Sequence, residues 1–387
     1  MSTFRMVVFL LVVLAVVVGV HSYFWWRLVR APGWPAPWGS VGTWAIVLLG
    51  ASIPLAMIGQ RAFPSVVQVP LAWIAFVWMG AMFLLFVLLL PGELVRIGHA
   101  FAASSDSLAS PDRRAFLARA IASVALVGST GLSAFAMFTA LRPVAVKRVR
   151  VSLARLPAAL SGLRVVQLTD IHVGPTIRKG FVEQLVEKTN ALEPDVVAIT
   201  GDLVDGSVEE LAAHVAPLAG LRARHGVYFV TGNHEYYSGA DAWVAHLQTL
   251  GIRVLANESV TITHEGAELE LAGVHDAHAD QFGHACDVGG ALATCPPERT
   301  KVLLAHQPIT VFDAATAGVD LQISGHTHGG QIFPFNYLVH LQQPYVAGLH
   351  RHGDTALYVS TGTGYWGPPM RLGVPAEITE LVLEASA

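Results

Sequence analysis

The sequence predicts a membrane domain of four helices followed by a water-facing α/β domain. The chain has 387 residues, and 53% of them are hydrophobic, more than an ordinary soluble protein carries. The excess lies before about residue 142, whereas Asp, Glu, Gly and His become common from Val144 onward. In this second half, short β-branched runs alternate with helix-like stretches, which is typical of a layered α/β domain.

The net charge of the chain argues against one class of partner. A formal charge of −4 gives no electrostatic reason to expect binding to nucleic acid, which favours basic patches. The one clearly basic run, Lys147-Arg148-Val149-Arg150, follows the last apolar segment. We interpret it as part of a membrane-proximal linker over residues 143–160.

Within the membrane domain, residues 1–142, four apolar runs are long enough to cross a bilayer as helices. A helix needs about 20 apolar residues to span the hydrocarbon layer. A cleaved signal peptide is the alternative for the first run, but no small-x-small cleavage motif follows it directly. Because no acidic or basic residue lies at the centre of a span, an anchor is favoured over an ion path. The predicted spans are about 6–26, 41–59, 66–90 and 120–141.

The orientation of the membrane domain depends on Arg113 and Arg114. Followed by Phe116 and Leu117, this pair resembles a twin-arginine export signal, and plain anchoring by arginine on the cytoplasmic side is the alternative. Both interpretations place the pair in the cytoplasm. We therefore expect a protein of the inner cell membrane whose α/β domain lies outside the cytoplasm. Cys286 and Cys295 would then be able to form a disulfide, and two free thiols are the alternative.

The α/β domain, assigned to residues 161–387, is predicted to contain about ten strands and three longer helices. That number of strands is enough for two sheets. The helices are predicted at 181–190, 208–224 and 241–250. The strands are predicted at 164–168, 196–200, 227–231, 253–255, 260–263, 269–272, 301–305, 321–324, 356–360 and 378–383.

Five of these strands end next to side chains that can bind metal. Open α/β sheets bind ligands at the carboxyl ends of their strands, so the five loops are expected to converge. Asp, Asn and His without Cys suit a divalent metal such as Mn, Fe or Zn, and the number of ligands favours two ions that share a carboxylate. The side chains are Asp170 and His172, Asp202 and Asp205, Asn233 to Glu235, His306, and His326 with His328.

These blocks resemble the motifs of the calcineurin-like metallophosphoesterases. The blocks are Asp170-x-His172, Gly201-Asp202-x-x-Asp205, Gly232-Asn233-His234-Glu235, His306 and Gly325-His326-x-His328. The fuller strings Leu168–His172, Ser324–Gln331 and Thr363–Arg371 are similar to the membrane-anchored bacterial branch. The resemblance implies an αββα sandwich with a dinuclear metal centre at its edge.

Carried over residue by residue, the resemblance also implies a role for each site residue. One metal would be held by Asp170, His172 and His328, the other by Asn233, His306 and His326, with Asp202 as the bridge. His234 would stay unligated and donate a proton to the leaving oxygen. Asp205 and Glu235 are expected to orient ligands. From their positions in the sequence, Asp276, Gln331 and Arg371 are candidates for supporting or substrate contacts, and a structural ion pair is the alternative for Arg371.

The expected activity is hydrolysis of a phosphodiester or pyrophosphate bond by a hydroxide that bridges the two metals. Because four helices exceed what tethering requires, a lipid head group is one expected substrate class. A phosphomonoesterase acting on a soluble substrate and a non-catalytic, metal-dependent lipid-binding protein are the alternatives. The second alternative predicts damage to the ligand set or loss of His234, and the sequence has neither.

Overall fold

The computed structural model describes residues 3–102 and 110–386 and divides into two compact units. The membrane unit extends to Met137 and includes Gly367–Pro369. The α/β unit comprises Phe138–Trp366 and Met370–Ala387.

The membrane unit is helical. Among the described residues, four helical stretches are long and apolar enough to cross a membrane, namely Leu11–Arg30, Trp38–Gly59, Ser65–Gly98 and Asp112–Leu141. The first of them continues from the first long helix into a π-helical segment, Trp26–Arg30. The predicted order, four apolar helices and then an α/β domain, is therefore confirmed. The helices are α1 (Thr3–Trp25), α2 (Trp38–Ala62), α3 (Ser65–Ala102) and α4 (Pro111–Leu141).

The sequence also predicts an exposed polar loop over residues 92–119, between the third and fourth spans. The third and fourth helices extend into this region. Helix α3 continues through Glu93 and Arg96, which form an ion pair of 2.9 Å one helical turn apart. Its 38 residues correspond to about 57 Å at 1.5 Å per residue, nearly twice the hydrocarbon thickness. The end of an apolar run therefore does not mark the end of this helix. The serine-rich part of the predicted loop, residues 104–107, lies outside the described residues.

The first sheet of the α/β unit has six strands in the order β1-β12-β2-β3-β4-β5. Strands β2 to β5 run parallel, β12 is antiparallel to β2, and β1 is parallel to β12. The strands are β1 (Ala145–Leu153), β2 (Arg164–Leu168), β3 (Val196–Thr200), β4 (Val227–Val230), β5 (Arg253–Val254) and β12 (Glu377–Ala385).

The second sheet also has six strands, in the order β10-β11-β9-β8-β7-β6. Its central strands β11, β9, β8 and β7 are parallel, and both edge strands are antiparallel to their neighbours. The strands are β6 (Glu258–His264), β7 (Ala267–Gly273), β8 (Thr300–Leu304), β9 (Leu321–Ser324), β10 (Gly348–His352) and β11 (Thr355–Val359).

The two sheets pack face to face with helices on both outer surfaces, so the predicted αββα architecture is confirmed. Val165 and Ala198 of the first sheet share one apolar core with Leu271 and Val302 of the second. A further apolar core lies between the first sheet and its helices, and another lies between the second sheet and its helices. The helices are α5 (Lys179–Asn190), α6 (Val208–Val215), α7 (Asn233–Ser238), α8 (Ala240–Thr249), α9 (Val288–Leu292), α10 (Val311–Thr316) and α11 (Asn336–Val339).

Part of the segment predicted as a linker, 143–160, is a strand. Residues 145–153 form β1, in which Val151 and Leu153 enter the core between the sheets. On the other face, Arg148 Nε lies 2.6 Å from the buried carboxylate of Glu380. The basic residues look like a solvated linker in the sequence because this partner lies 232 residues downstream.

Candidate metal centre

The predicted ligands meet at the carboxyl ends of five strands. Strands β2, β3 and β4 of the first sheet and β8 and β9 of the second all end at this edge. Five residues here adopt positive φ angles, which cost about 1–3 kcal/mol each in non-glycine residues and cluster at functional sites. They are Asp170 (53°), His172 (54°), Asp202 (51°), His326 (71°) and His328 (49°).

A first group of ligand atoms is formed by Asp170, His172 and His328. Nε2 of His172 lies 3.0 Å from Nε2 of His328, which in turn lies 3.4 Å from Oδ1 of Asp170. All three residues are buried, and one ligand atom from each lies within 4.8 Å of the others. This spacing leaves room for one ion in contact with all three.

A second group contains Asp202, His306 and His326. Nε2 of His306 lies 3.1 Å from Oδ2 of Asp202 and 3.2 Å from Nδ1 of His326. The same Oδ2 atom lies 3.8 Å from Nε2 of His172 in the first group. One carboxylate oxygen therefore faces both groups, as a bridging ligand would.

The side-chain oxygen of Asn233 gives a separate indication of a cation site. Its Oδ1 atom is buried and accepts no hydrogen bond from the part of the chain that the structure describes. A buried carbonyl oxygen without a partner is costly, so such atoms usually have a role. The residues present thus fit divalent cations. The site offers two groups of imidazole and carboxylate ligands, and in addition the Asn233 side-chain oxygen, which has no hydrogen-bond partner among the described residues.

The electrostatics of the site favour the metal-binding form of some predicted ligands and not of others. Burial raises the pKa of Asp170. Burial lowers the pKa of His306, but Asp202 outweighs it and raises that pKa well above its usual value. Burial raises the pKa of Asp202, but His306, His234 and His172 outweigh it and hold the pKa well below its usual value. Burial, with His306 beside it, lowers the pKa of His326 to about 3. An ionised carboxylate and a neutral imidazole are the forms that bind metal.

Two other carboxylates, Asp205 and Glu235, contact the predicted ligands or the backbone next to them. Oδ1 of Asp205 lies 3.1 Å from Nδ1 of His172 and 2.6 Å from Nδ1 of His234. Glu235 is fully buried and accepts hydrogen bonds from the backbone N–H groups of Asp202 (2.9 Å), Leu203 (2.8 Å) and Gly232 (2.7 Å). Glu235 therefore joins the loops after β3 and β4 through their main chains.

Glycine is required where these loops approach each other. A Cβ atom on Gly325 would overlap Oδ2 of Asp170 and Oγ1 of Thr169. One on Gly232 would overlap Oδ1 of Asp202. The backbone can bring ligands from both sheets together only because these positions lack side chains.

The three remaining candidates lie around the ligand set and have different surroundings. Asp276 is buried and accepts hydrogen bonds from Nε2 of Gln307, at 2.9 and 3.1 Å. Gln331 donates to the carbonyl of Trp366 and accepts from its N–H, at 3.0 and 2.9 Å. These two contacts fix the backbone of Trp366 beside the ligand loop.

Arg371 has no exposed surface, so it is out of reach of a substrate in solution. Its guanidinium donates to the carbonyl oxygens of Thr361 (2.7 Å) and Gly364 (2.6 and 3.0 Å) and lies 3.3 Å from Nδ1 of His328. Arg371 thus ties the loop 361–364 to a candidate ligand. The sequence alone does not reveal this loop, because its contacts are made by backbone atoms.

Residues outside the predicted ligand set also shape the site, and of these the sequence indicates only Trp366, as a hydrophobic lip or a core residue. Thr169 donates a hydrogen bond to Oδ2 of Asp170 at 2.8 Å, and only its place beside a ligand hints at this. Exposed aromatic rings of Tyr237 and Trp366 lie 5.3 and 5.5 Å from the ring of His234.

Cys286 and Cys295 are free, and burial raises the pKa of the Cys286 thiol to about 12.

Comparison with known proteins assigns a family to this arrangement. Residues 163–330 match the family described as calcineurin-like phosphoesterase. A transmembrane protein with metallophosphoesterase domain from Bos taurus is 45% identical over 276 residues, which cover 68% of this chain and 62% of that one. A protein of the same description from Danio rerio is 38% identical over 78% of this chain and 70% of its own.

A bacterial relative has a similar extent. An uncharacterized metallophosphoesterase from Helicobacter pylori is 44% identical over 224 residues, or 57% of this chain and 60% of its own. The chain thus spans less than two thirds of the bovine and Helicobacter relatives. Animal and bacterial proteins both match, so the similarity extends beyond a bacterial branch.

Proposed function

Because the chain belongs to the calcineurin-like phosphoesterase family, we propose that it is a membrane-bound, metal-dependent phosphoesterase that cleaves a phosphodiester or pyrophosphate bond. The observation that carries the proposal is the position of Asp202 Oδ2, which lies 3.1 Å from His306 and 3.8 Å from His172. An oxygen facing both ligand groups supports a centre of two ions.

We assign six of the ligands from the two groups of ligand atoms, and Asn233 from the resemblance to the family and from its buried Oδ1 atom, which has no partner among the described residues. Asp170, His172 and His328 would hold one ion, Asn233, His306 and His326 would hold the other, and Asp202 would contact both. Mn, Fe or Zn suits these nitrogen and oxygen ligands. When bound, such ions supply Lewis-acid activation of water and of the phosphoryl oxygens.

The chain's own residues position the leaving group. Burial lowers the pKa of His234, but Asp202 and Asp205 outweigh it and raise the pKa to about 9. With Nδ1 held by Asp205 at 2.6 Å, the ring has Nε2 available on its other side. His234 therefore donates the Nε2 proton to the departing oxygen, and Asp205 keeps the ring in that orientation.

The surroundings of His234 favour a leaving group with an apolar part. Tyr237 and Trp366 are 61% and 54% exposed and flank its ring edge to face. Exposed aromatic rings beside an acid bind an apolar substituent more readily than water. A lipid phosphodiester carries such a substituent, so it is the substrate class we favour over a soluble phosphomonoester.

Hydrolysis by the full-length protein tests the proposal. Purified protein in lipid nanodiscs, loaded with Mn, Zn or Fe, would be assayed with a diester reporter, a monoester reporter and extracted lipids. We expect turnover of the diester and of a lipid fraction, and loss of both in Asp202→Asn. Inactivity of the metal-loaded protein on all three substrates would reject the enzyme, and preference for the monoester would reject the substrate class.

The proposed location is the inner cell membrane, with the α/β unit outside the cytoplasm. The support is the pair Arg113 and Arg114 near the start of α4, because arginine is retained on the cytoplasmic side. A reporter that is active only outside the cytoplasm, fused after Ala387, tests this orientation. Activity of a cytoplasm-specific reporter at the same position would reverse it.

A further inference from the structure

An uncharged part of the α/β unit forms an exposed apolar surface. The sequence contains no Asp, Glu, Lys or Arg between Asp320 and Arg351. We call residues 333–341, which follow the ligand loop of His326 and His328, the apolar segment. Four of its large side chains are at least half exposed, namely Phe333 (50%), Tyr337 (65%), Leu338 (53%) and Leu341 (81%).

The apolar segment is held by buried neighbours at both ends. Ile332 before it and Val346 after it are buried. The hydroxyl of Thr327 donates to the carbonyl of Val346 at 2.6 Å. Asn336 lies so close to Gly330 that a Cβ atom on this glycine would overlap the Asn336 backbone. The exposed side chains are therefore presented from a fixed scaffold.

The composition of this surface indicates its partner. Soluble proteins seldom leave large apolar side chains together in water, and such patches mark protein or membrane contacts. Phe, Tyr and Leu without charged neighbours are the residues that enter the interfacial layer of a bilayer. Because the chain also carries four helices able to cross a membrane, lipid is always present at high effective concentration.

We propose that the apolar segment inserts into the interfacial layer of the bilayer to which the chain is anchored. Insertion of this kind reaches about 5–10 Å into the boundary between head groups and acyl chains. Phe333 follows His328 by five positions, so the backbones of these two residues lie at most ~18 Å apart. The metal centre is thereby held near the lipid surface, whichever phosphate ester it cleaves.

Spin labels on the full-length protein in liposomes test the insertion. In a Cys286→Ala, Cys295→Ala background, nitroxides would be attached at Leu338→Cys and Leu341→Cys. The matched control is Glu265→Cys, an exposed position in the turn between β6 and β7. We expect oxygen to relax the labels at 338 and 341 several-fold more, relative to a water-soluble nickel chelate, than the label at 265.

Two results would overturn the proposal. Equal oxygen-to-nickel ratios at 338, 341 and 265 would mean that water covers the segment. Spin–spin broadening at 341 that disappears on dilution with unlabelled protein would mean that a second copy covers it.

A charged variant gives an independent check. Leu341→Glu should lower the oxygen-to-nickel ratio at position 338 several-fold, while Leu341→Ala should lower it less. Both variants should retain turnover of a soluble diester, because Leu341 is 81% exposed and is not one of the proposed ligands. An unchanged ratio at 338 in Leu341→Glu would also reject insertion.

Discussion

One carboxylate oxygen of Asp205 lies 2.6 Å from Nδ1 of His234, and the same oxygen lies 3.1 Å from Nδ1 of His172. Both imidazoles therefore direct Nδ1–H at Asp205 and keep Nε2 for other partners. For His172 that partner is the proposed metal, and for His234 it is the leaving oxygen. A single residue thus orients a ligand and the proposed acid.

Replacing His234 by alanine should have an effect that depends on the leaving group. His234→Ala should lower kcat about 10²–10⁴-fold for an alkyl phosphodiester, which needs a proton on its departing oxygen. Turnover of a p-nitrophenyl diester should fall much less, because that alcohol leaves without protonation. Steady-state kinetics with both substrates, at equal metal content, make the comparison. Equal losses on both would show that His234 does not act as an acid.

Replacing Asp205 by asparagine should disturb both histidines. An amide NH₂ or carbonyl at this position no longer fixes both Nδ1–H groups, so we expect a loss of about 10–100-fold in activity or metal affinity. At saturating metal, where the contact of Asp205 with His172 no longer limits metal occupancy, the double variant Asp205→Asn, His234→Ala should be little worse than His234→Ala in kcat for the alkyl diester, because Asp205 and His234 act in one unit. Additive losses in the double variant would contradict the shared role.

Adding a methyl group to Gly325 should prevent assembly of the metal centre. The new Cβ would overlap Oδ2 of Asp170 and Oγ1 of Thr169, so Gly325→Ala should reduce bound metal and activity together. The matched control is Gly180→Ala in α5, where nothing lies within 4 Å of the added atom. The control should keep its metal and gain up to about 1 kcal/mol of stability. Elemental analysis measures the bound metal of both variants, and enzyme assays measure their activity. A Gly325→Ala protein with its full metal content would refute the steric argument.

The central strands could be predicted closely from the sequence, whereas two of the four edge strands could not. The sequence predicts β2, β3 and β9 with the bounds that the structure has. Their Val, Ile and Leu residues stand directly before the ligand motifs, and β3 is a continuous apolar run, as is typical of a strand buried on both faces. Strands β1 and β10 lie at the edges of the two sheets and alternate polar with apolar residues. The partner of β1 is β12, near the end of the chain, so local composition does not reveal this strand. Strand β10 forms a hairpin with β11, which follows it closely, but Leu349 is its only large apolar residue.

The candidate ligands were predictable for a similar reason. Asp170, Asp202 and His306 follow directly upon buried strands, where side-chain identity is visible in the sequence. The contacts around them were not predictable where they involve the main chain. Glu235 binds backbone N–H groups and Arg371 binds backbone carbonyls, and such contacts leave no residue signature at the partner position.

Arg371 is expected to act on the metal centre through His328, without touching the substrate. Its donors satisfy carbonyls of the loop 361–364 and reach the backbone carbonyl of His328 at 3.4 Å, and lysine has too few donors in the wrong geometry to replace them. Arg371→Lys should therefore weaken metal binding about 10–100-fold, lower the melting temperature of the α/β unit, and leave KM for the diester unchanged once metal is saturating. Metal titration followed by thermal unfolding, and kinetics at excess metal, measure these effects. A raised KM at saturating metal with unchanged metal affinity would instead place Arg371 in contact with the phosphate.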